Sequence, residues 1–175
     1  MTRLRIAAGA ALGITLALAD ASAEPARLEL SRMSGLPNAV LLDEDVAGGG
    51  VPSAETLNEA SAQGVRTVVD LRLPAEGLKA EQAAARELGM TYVNIPVTPE
   101  TLSRQQADAL ADAVGDPADR PALVFCSSGN RVGGLWAVYE RFHRGRTAEE
   151  AFARGLERGM RSEAVKATVR ALVRE

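Results

Sequence analysis

Leu123-Val124-Phe125-Cys126-Ser127-Ser128-Gly129-Asn130-Arg131 reads as a short buried strand, a tight turn and the opening of a helix. A thiol at the carboxyl end of such a strand faces the opening above the sheet. The next backbone N–H groups can turn inward as the chain enters the helix. That ring of dipoles, the positive end of the helix and the Arg131 guanidinium favour a thiolate over a thiol. The same cradle suits a phosphate, a sulfur oxyanion or a persulfide. Cys126 is therefore the candidate reactive group and Arg131 a planar fork for two anion oxygens, with Ser127, Ser128, Gly129 and Asn130 lining the turn. A free cysteine is often a small core residue, but a core strand rarely runs into five small or polar residues and a helix without a use for the turn.

Outward from this stretch, strands alternate with helices. Ser53 is expected to cap a helix that Gly64 stops, and residues 65–71 are β-branched and strand-like. Residues 79–88 form the next helix, stopped by Gly89, and residues 90–95 the next strand. Ser103 with Gln106 reads as a capping box for a helix to about Val114, followed by the strand at residues 121–126. A helix runs from Asn130 or Arg131 to His143, Thr147 with Glu150 caps another, and Ser162 caps the last. The order implies an α/β fold with a mostly parallel central sheet flanked by helices and a site at the carboxyl ends of the strands. Gly48-Gly49-Gly50 reads as a loop; it does not match a dinucleotide fingerprint.

Residues 1–23 read as a secretory signal peptide: Arg3 and Arg5, an apolar stretch from Ile6 to Ala19, and the small-residue site Ala21-Ser22-Ala23. Residues 24–175 are then one domain, periplasmic or secreted, with no stable membrane span after cleavage. The chain has one cysteine, so no intramolecular disulfide can form, and one histidine, so a metal centre of soft ligands is not expected. The net charge is −3, yet residues 126–175 carry ten basic and six acidic side chains. That balance suits an anionic substrate, while the acidic chain and scarce aromatics argue against nucleic acid. No cofactor is implied, and oligomeric state is left open.

Thr67-Val68-Val69-Asp70-Leu71-Arg72, Tyr92-Val93-Asn94-Ile95-Pro96-Val97 and the Cys126 loop followed by Val132-Gly133-Gly134-Leu135-Trp136-Ala137 resemble the beta-lactamase-hydrolase-like protein phosphatase family. That family is a bacterial branch of the dual-specificity and tyrosine phosphatase fold. The resemblance implies a hydrolase in which Cys126 attacks a phosphate ester to form a phosphocysteine while Arg131 and the backbone of residues 127–130 hold the phosphoryl oxygens. Tyrosine phosphatases place five residues between cysteine and arginine, a histidine before the cysteine and an aspartate acid on the loop after the second strand. Here four residues intervene, Phe125 takes the histidine's place, and residues 96–100 hold no aspartate. Glu100 is the nearest carboxylate, and Asp70, at another strand's carboxyl end, is the other candidate acid. Its structural alternative is a pair with Arg72, which could otherwise reach substrate at the mouth of the site. The short loop is also similar to that of rhodanese-type sulfurtransferases, which carry a persulfide and need no general acid. A third alternative is a catalytically weak domain that binds an anion or a protein. His143 is expected to meet its helix's C-terminal dipole, and Trp136 to pack on the sheet.

Overall fold

The computed structural model describes residues 27–175; the expected signal peptide, residues 1–23, lies outside them. Its strands are β1 (Val40–Asp43), β2 (Val46–Gly49), β3 (Thr67–Asp70), β4 (Thr91–Asn94) and β5 (Ala122–Phe125). They form one sheet in the order β1-β2-β5-β3-β4. Only β1 and β2 pair antiparallel; β2 with β5, β5 with β3, and β3 with β4 are parallel. The helices are α1 (Ala54–Ala62), α2 (Lys79–Glu87), α3 (Arg104–Val114), α4 (Asn130–His143), α5 (Ala148–Glu157) and α6 (Glu163–Leu172).

Period-two alternation along the central strands divides the core into two layers. Val68, Leu123 and Phe125 face one side with Leu57 and Ala60 of α1 and Ala85 of α2. Val69, Val124 and Cys126 face the other, with Leu110 of α3 and Leu135, Trp136 and Val138 of α4. The thiol consequently lies on the α4 side, at the end of the strand that feeds that helix. Each large aliphatic side chain buried here contributes about 1.5–3 kcal/mol of transfer free energy.

The caps form where Ser53, Thr147 and Ser162 accept from the backbone N–H groups of Thr56, Glu150 and Val165. Ser103 departs from the expected capping box. Its hydroxyl donates to Gln106 Oε1 at 2.7 Å, and the Gln106 amide donates to the Pro96 carbonyl at 2.9 Å, so the pair ties α3 to the loop after β4.

The triple glycine is not a loop. Gly48 and Gly49 are buried in β2, and Gly50 bridges to Ser128. A Cβ on Gly48 would stand 2.9 Å from Val132 Cγ1, and one on Gly49 2.7 Å from Leu36 Cγ. The N-terminal hairpin carries little strand signal in the sequence because two of the four residues of β2 are glycine and its partner β1 is only four residues long.

α4 and α5 approach backbone to backbone at Gly133 and Gly155. A Cβ on Gly133 would lie 2.4 Å from the Met160 nitrogen and 2.8 Å from the carbonyl oxygens of Gly155 and Arg158. Because backbone rather than a flexible side chain must yield, Gly133→Ala should destabilise the fold by about 3 kcal/mol, the upper part of the overpacking range, as read from urea unfolding midpoints. A loss below about 0.5 kcal/mol would show that the two helices can slide apart freely.

Candidate active site

Every residue of β5 is buried, and Cys126 directly after it is 1% exposed. The Cys126 amide donates to the Gly49 carbonyl at 3.2 Å, which carries the ladder one step past the strand. The chain then turns sharply. The Ser128 carbonyl points outward, accepting from Arg161 Nη2 at 2.8 Å and Asn38 Nδ2 at 3.2 Å. In a trans peptide the following N–H must point the opposite way. It does: Gly129 N–H donates to Cys126 Sγ at 3.1 Å. Gly129 sits at φ +80, in the left-handed region, and hands the chain to α4 at Asn130. The sulfur thus has an amide donor aimed at it and lies beside the N-terminal end of a 14-residue helix.

Asn130 braces the turn rather than lining it with its side chain. Its Oδ1 accepts from the backbone N–H groups of Arg161 and Ser162 at 2.7 and 2.9 Å, and its Nδ2 donates to Ser162 Oγ at 3.0 Å. The segment between α5 and α6 is therefore fastened to the cradle from outside.

Arg131 reaches back across the loop mouth. Nη1 donates to Glu76 Oε2 at 2.8 Å and to the Val97 carbonyl at 3.0 Å, while Nη2 donates to Glu76 Oε1 at 2.8 Å and Ser127 Oγ at 2.6 Å. The fork and the carboxylate form a bidentate pair, with the Ser127 hydroxyl donating to Glu76 Oε1 at 2.6 Å. Glu76 hydrogen bonding first, against the effect of burial and with the Cys126 sulfur adding, holds Arg131 above its usual range.

Glu76 was not among the residues the sequence singled out. It ends a single 3₁₀ turn, Pro74–Glu76, and its Oε2 also accepts from the Leu73 N–H at 2.7 Å. A proline opening a turn with glutamate at its end was visible as local capping chemistry, but nothing local told that the carboxylate meets an arginine 55 positions later. The Arg131 hydrogen bonds, against the effect of burial, and then those of Ser127 and Leu73 hold the Glu76 carboxyl down to about 2 from an ordinary 4.5. A carboxylate lowered in the fold adds stability that is present above its ordinary value and is lost as pH falls through the lowered one. The Glu76 contribution is accordingly expected to persist down to about pH 4.5 and to disappear between there and about pH 2. Acid unfolding of wild type and Glu76→Gln should converge in that window and separate above it; curves that stay parallel would remove the ionic role.

The two candidate acids and Arg72 fall elsewhere. Asp70 is fully buried and faces Arg72, not the cradle: Arg72 donates to it through its backbone N–H at 2.9 Å, Nε at 3.1 Å and Nη2 at 2.7 Å, and the Tyr92 hydroxyl at 2.7 Å. Arg72 is 5% exposed, also donates to Glu81 at 2.6 Å, and lies over the Phe125 ring at 5.1 Å. The structural alternative thus describes this pair. A carboxylate whose oxygens are taken by four donors and face away from the cradle is not placed to act on a leaving group there, and a guanidinium locked between two carboxylates cannot turn to substrate. Hydrogen bonding to Asp70 first, against burial, holds Arg72 above its usual range. Asp70→Asn should therefore act on folding, costing about 3–5 kcal/mol because Arg72 is left buried without its main partner. Unfolding midpoints would show it, and an unchanged midpoint with reduced activity would restore Asp70 as a chemical group. Glu100 is exposed, and hydrogen bonding from Thr98 lowers its carboxyl. His143 pairs with Asp108 at 2.8 Å and stacks on Tyr139, and Trp136 is fully buried with its N–H on Glu140 at 3.1 Å.

A thiol held by a turn amide, a helix start and an arginine fork at the carboxyl end of a central parallel strand defines the cysteine-based phosphatase-like class. Residues 41–142 match the family described as beta-lactamase hydrolase-like protein, phosphatase-like domain, and the chain belongs to that family. Beta-lactamase hydrolase-like proteins of two strains of Xylella fastidiosa, Temecula1 and 9a5c, are each 31% identical over 104 residues. The match covers 57% of this chain and 24% of theirs, so the chain corresponds to about a quarter of those longer proteins. Among solved structures, a DUF442 phosphatase of Shewanella putrefaciens CN-32 superposes with a TM-score of 0.65 at 16% identity, covering 82% of this chain and 96% of that one. P. aeruginosa TpbA, solved in complex with pTyr, gives 0.65 at 18%, covering 86% and 90%. The core catalytic domain of the PP-IP phosphatase SIW14 of S. cerevisiae, in complex with citrate, gives 0.59 at 14%, covering 78% and 86%. These likenesses establish the fold: a phosphatase-type α/β domain around the five-stranded sheet.

Proposed function

We propose that the protein is a cysteine-dependent phosphatase that hydrolyses phosphate monoesters through a phosphocysteine. The observation that carries this reading is the Gly129 N–H on Cys126 Sγ at 3.1 Å, with the Arg131 fork spanning the same loop. In the first step Sγ attacks phosphorus, an S–P bond forms, the ester P–O bond breaks and the leaving oxygen departs as an oxyanion that takes its proton from water. In the second, water attacks phosphorus, returning the thiolate and releasing inorganic phosphate. Turn amides and the Arg131 guanidinium hold the phosphoryl oxygens, and Glu76 keeps that guanidinium in plane. The family match favours this over persulfide transfer, and TpbA in complex with pTyr supports a phosphate ester as the class of substrate.

The basic and apolar character of residues 1–23 supports a periplasmic or secreted location. Among the described residues no helix is long and apolar enough to cross a membrane.

Intact mass analysis of Cys126 after brief incubation with an aryl phosphate, and separately with thiosulfate, tests the chemistry. A phosphoryl adduct absent from Cys126→Ser is the expected result. A sulfur adduct with thiosulfate and none with any ester would instead assign a persulfide carrier.

A further inference from the structure

We propose that the cavity between edge strand β1 and the α4–α5 pair is a second anion site, taking a small molecule that bears a diphosphate group. The cavity has a volume of about 480 Å³, within the ~300–1,000 Å³ typical of small-molecule sites. It lies away from Cys126. Asp43, on its wall, pairs with Val46, which pairs with Ala122, so this wall reaches the end of the sheet opposite the Cys126 loop.

Four guanidiniums line it, those of Arg144, Arg146, Arg154 and Arg158, against the carboxylates of Asp43, Glu44 and Glu140. The carboxylates are already engaged. Asp43 takes Arg144 and Arg120, Glu44 takes Arg27 at 3.0 Å, and Glu140 takes Arg146 Nε at 3.2 Å. Arg146 spends only Nε on that pair. Arg154 has one long contact, to Glu157 at 3.4 Å, and Arg158 Nε is buried with no hydrogen-bond partner.

Arg154 and Arg158 stand four residues apart at the end of α5, where like charges repel unless an anion lies between them. The C-terminal dipole of that helix opposes an anion by about half a charge, less than the net positive charge that four guanidiniums leave over three carboxylates in the lining. One carboxylate oxygen pair is satisfied by a single fork. A phosphate offers more oxygens and bridges two forks, and three under-used guanidiniums in a space of this size match two linked phosphates.

The test uses pyrophosphate as probe. Calorimetry is run on wild type, on Arg131→Ala, which weakens the Cys126 cradle, and on the double variant Arg154→Gln/Arg158→Gln. One pyrophosphate should still bind Arg131→Ala, and the double substitution in that background should weaken it at least about tenfold, the effect of losing one charged hydrogen-bonding partner. Loss of all binding in Arg131→Ala, or unchanged binding in the double variant, would overturn the site. Amide NMR shifts of the wild type add a reading free of variants. Titration should move the Leu41–Glu44 and Arg154–Arg158 signals as well as those of the Cys126 loop. Movement of the loop signals alone overturns the proposal, and citrate binding as tightly at matched ionic strength overturns the diphosphate assignment.

Discussion

Arg131→Lys is expected to lower kcat/KM for an aryl phosphate by about 10²–10³-fold even though the charge is kept, the usual cost of losing an oriented donor to a developing oxyanion. In the fold the guanidinium makes two parallel bonds to Glu76 while also reaching the Val97 carbonyl and Ser127 Oγ. An ammonium has a single nitrogen and cannot span Glu76, Ser127 and the phosphoryl oxygens together. Competition by vanadate or sulfate should weaken about equally in Arg131→Lys and Arg131→Ala. Should the lysine variant bind these anions as well as wild type, Arg131 would be only a nearby positive charge, and the Glu76 bridge would have no part in the chemistry.

The second large effect concerns the leaving group. Aryl phosphates with good leaving groups should turn over slowly and alkyl phosphates hardly at all, with a gap of about 10²–10⁴, the usual worth of a positioned general acid. Residues 96–100 carry no aspartate, and the available carboxylates are unsuited to donate a proton at neutral pH. Glu76 is held ionised by Arg131, with its carboxyl near 2. Asp70 is saturated by Arg72 and Tyr92, and Glu100 is exposed with its carboxyl lowered by Thr98. The measurement is kcat/KM across a leaving-group series for wild type and Glu100→Gln. A flat dependence in wild type that steepens in Glu100→Gln would identify Glu100 as the acid after all.

The Cys126 turn and the alternation around it were legible because their causes are local. An apolar run followed by small residues and a glycine at positive φ can do little else, and the alternation of capped helices with β-branched runs prescribes a mostly parallel sheet with that turn at its carboxyl edge. The turn carries Ser127, Ser128 and Gly129 past the thiol to Arg131, while the Asn130 side chain faces Arg161 and Ser162 and braces the turn from outside. Less local features were misread. The Gly48-Gly49-Gly50 stretch looks like a loop to any rule based on side chains, yet Gly48 and Gly49 are strand and Gly50 bridges to Ser128, with Val132, Leu36 and Pro37 packed against the space a Cβ would need.

The sequence by itself determined the α/β alternation, the strand that carries Cys126, the turn after it and the family resemblance, because each depends on residues within a few positions of one another. Only the tertiary structure decided which charges meet. Asp70 ends β3, Glu76 lies in the 3₁₀ turn after it and Glu100 in the loop after β4; Arg131 took Glu76, which the turn at Pro74 presents across the loop mouth. Asp70 and Arg72 turned toward each other, as Asp70 is fully buried beside Arg72 and each unpaired charge there would be costly. Such pairings depend on the direction in which each strand end releases its next side chain, a property of the packed sheet that no span of local sequence contains.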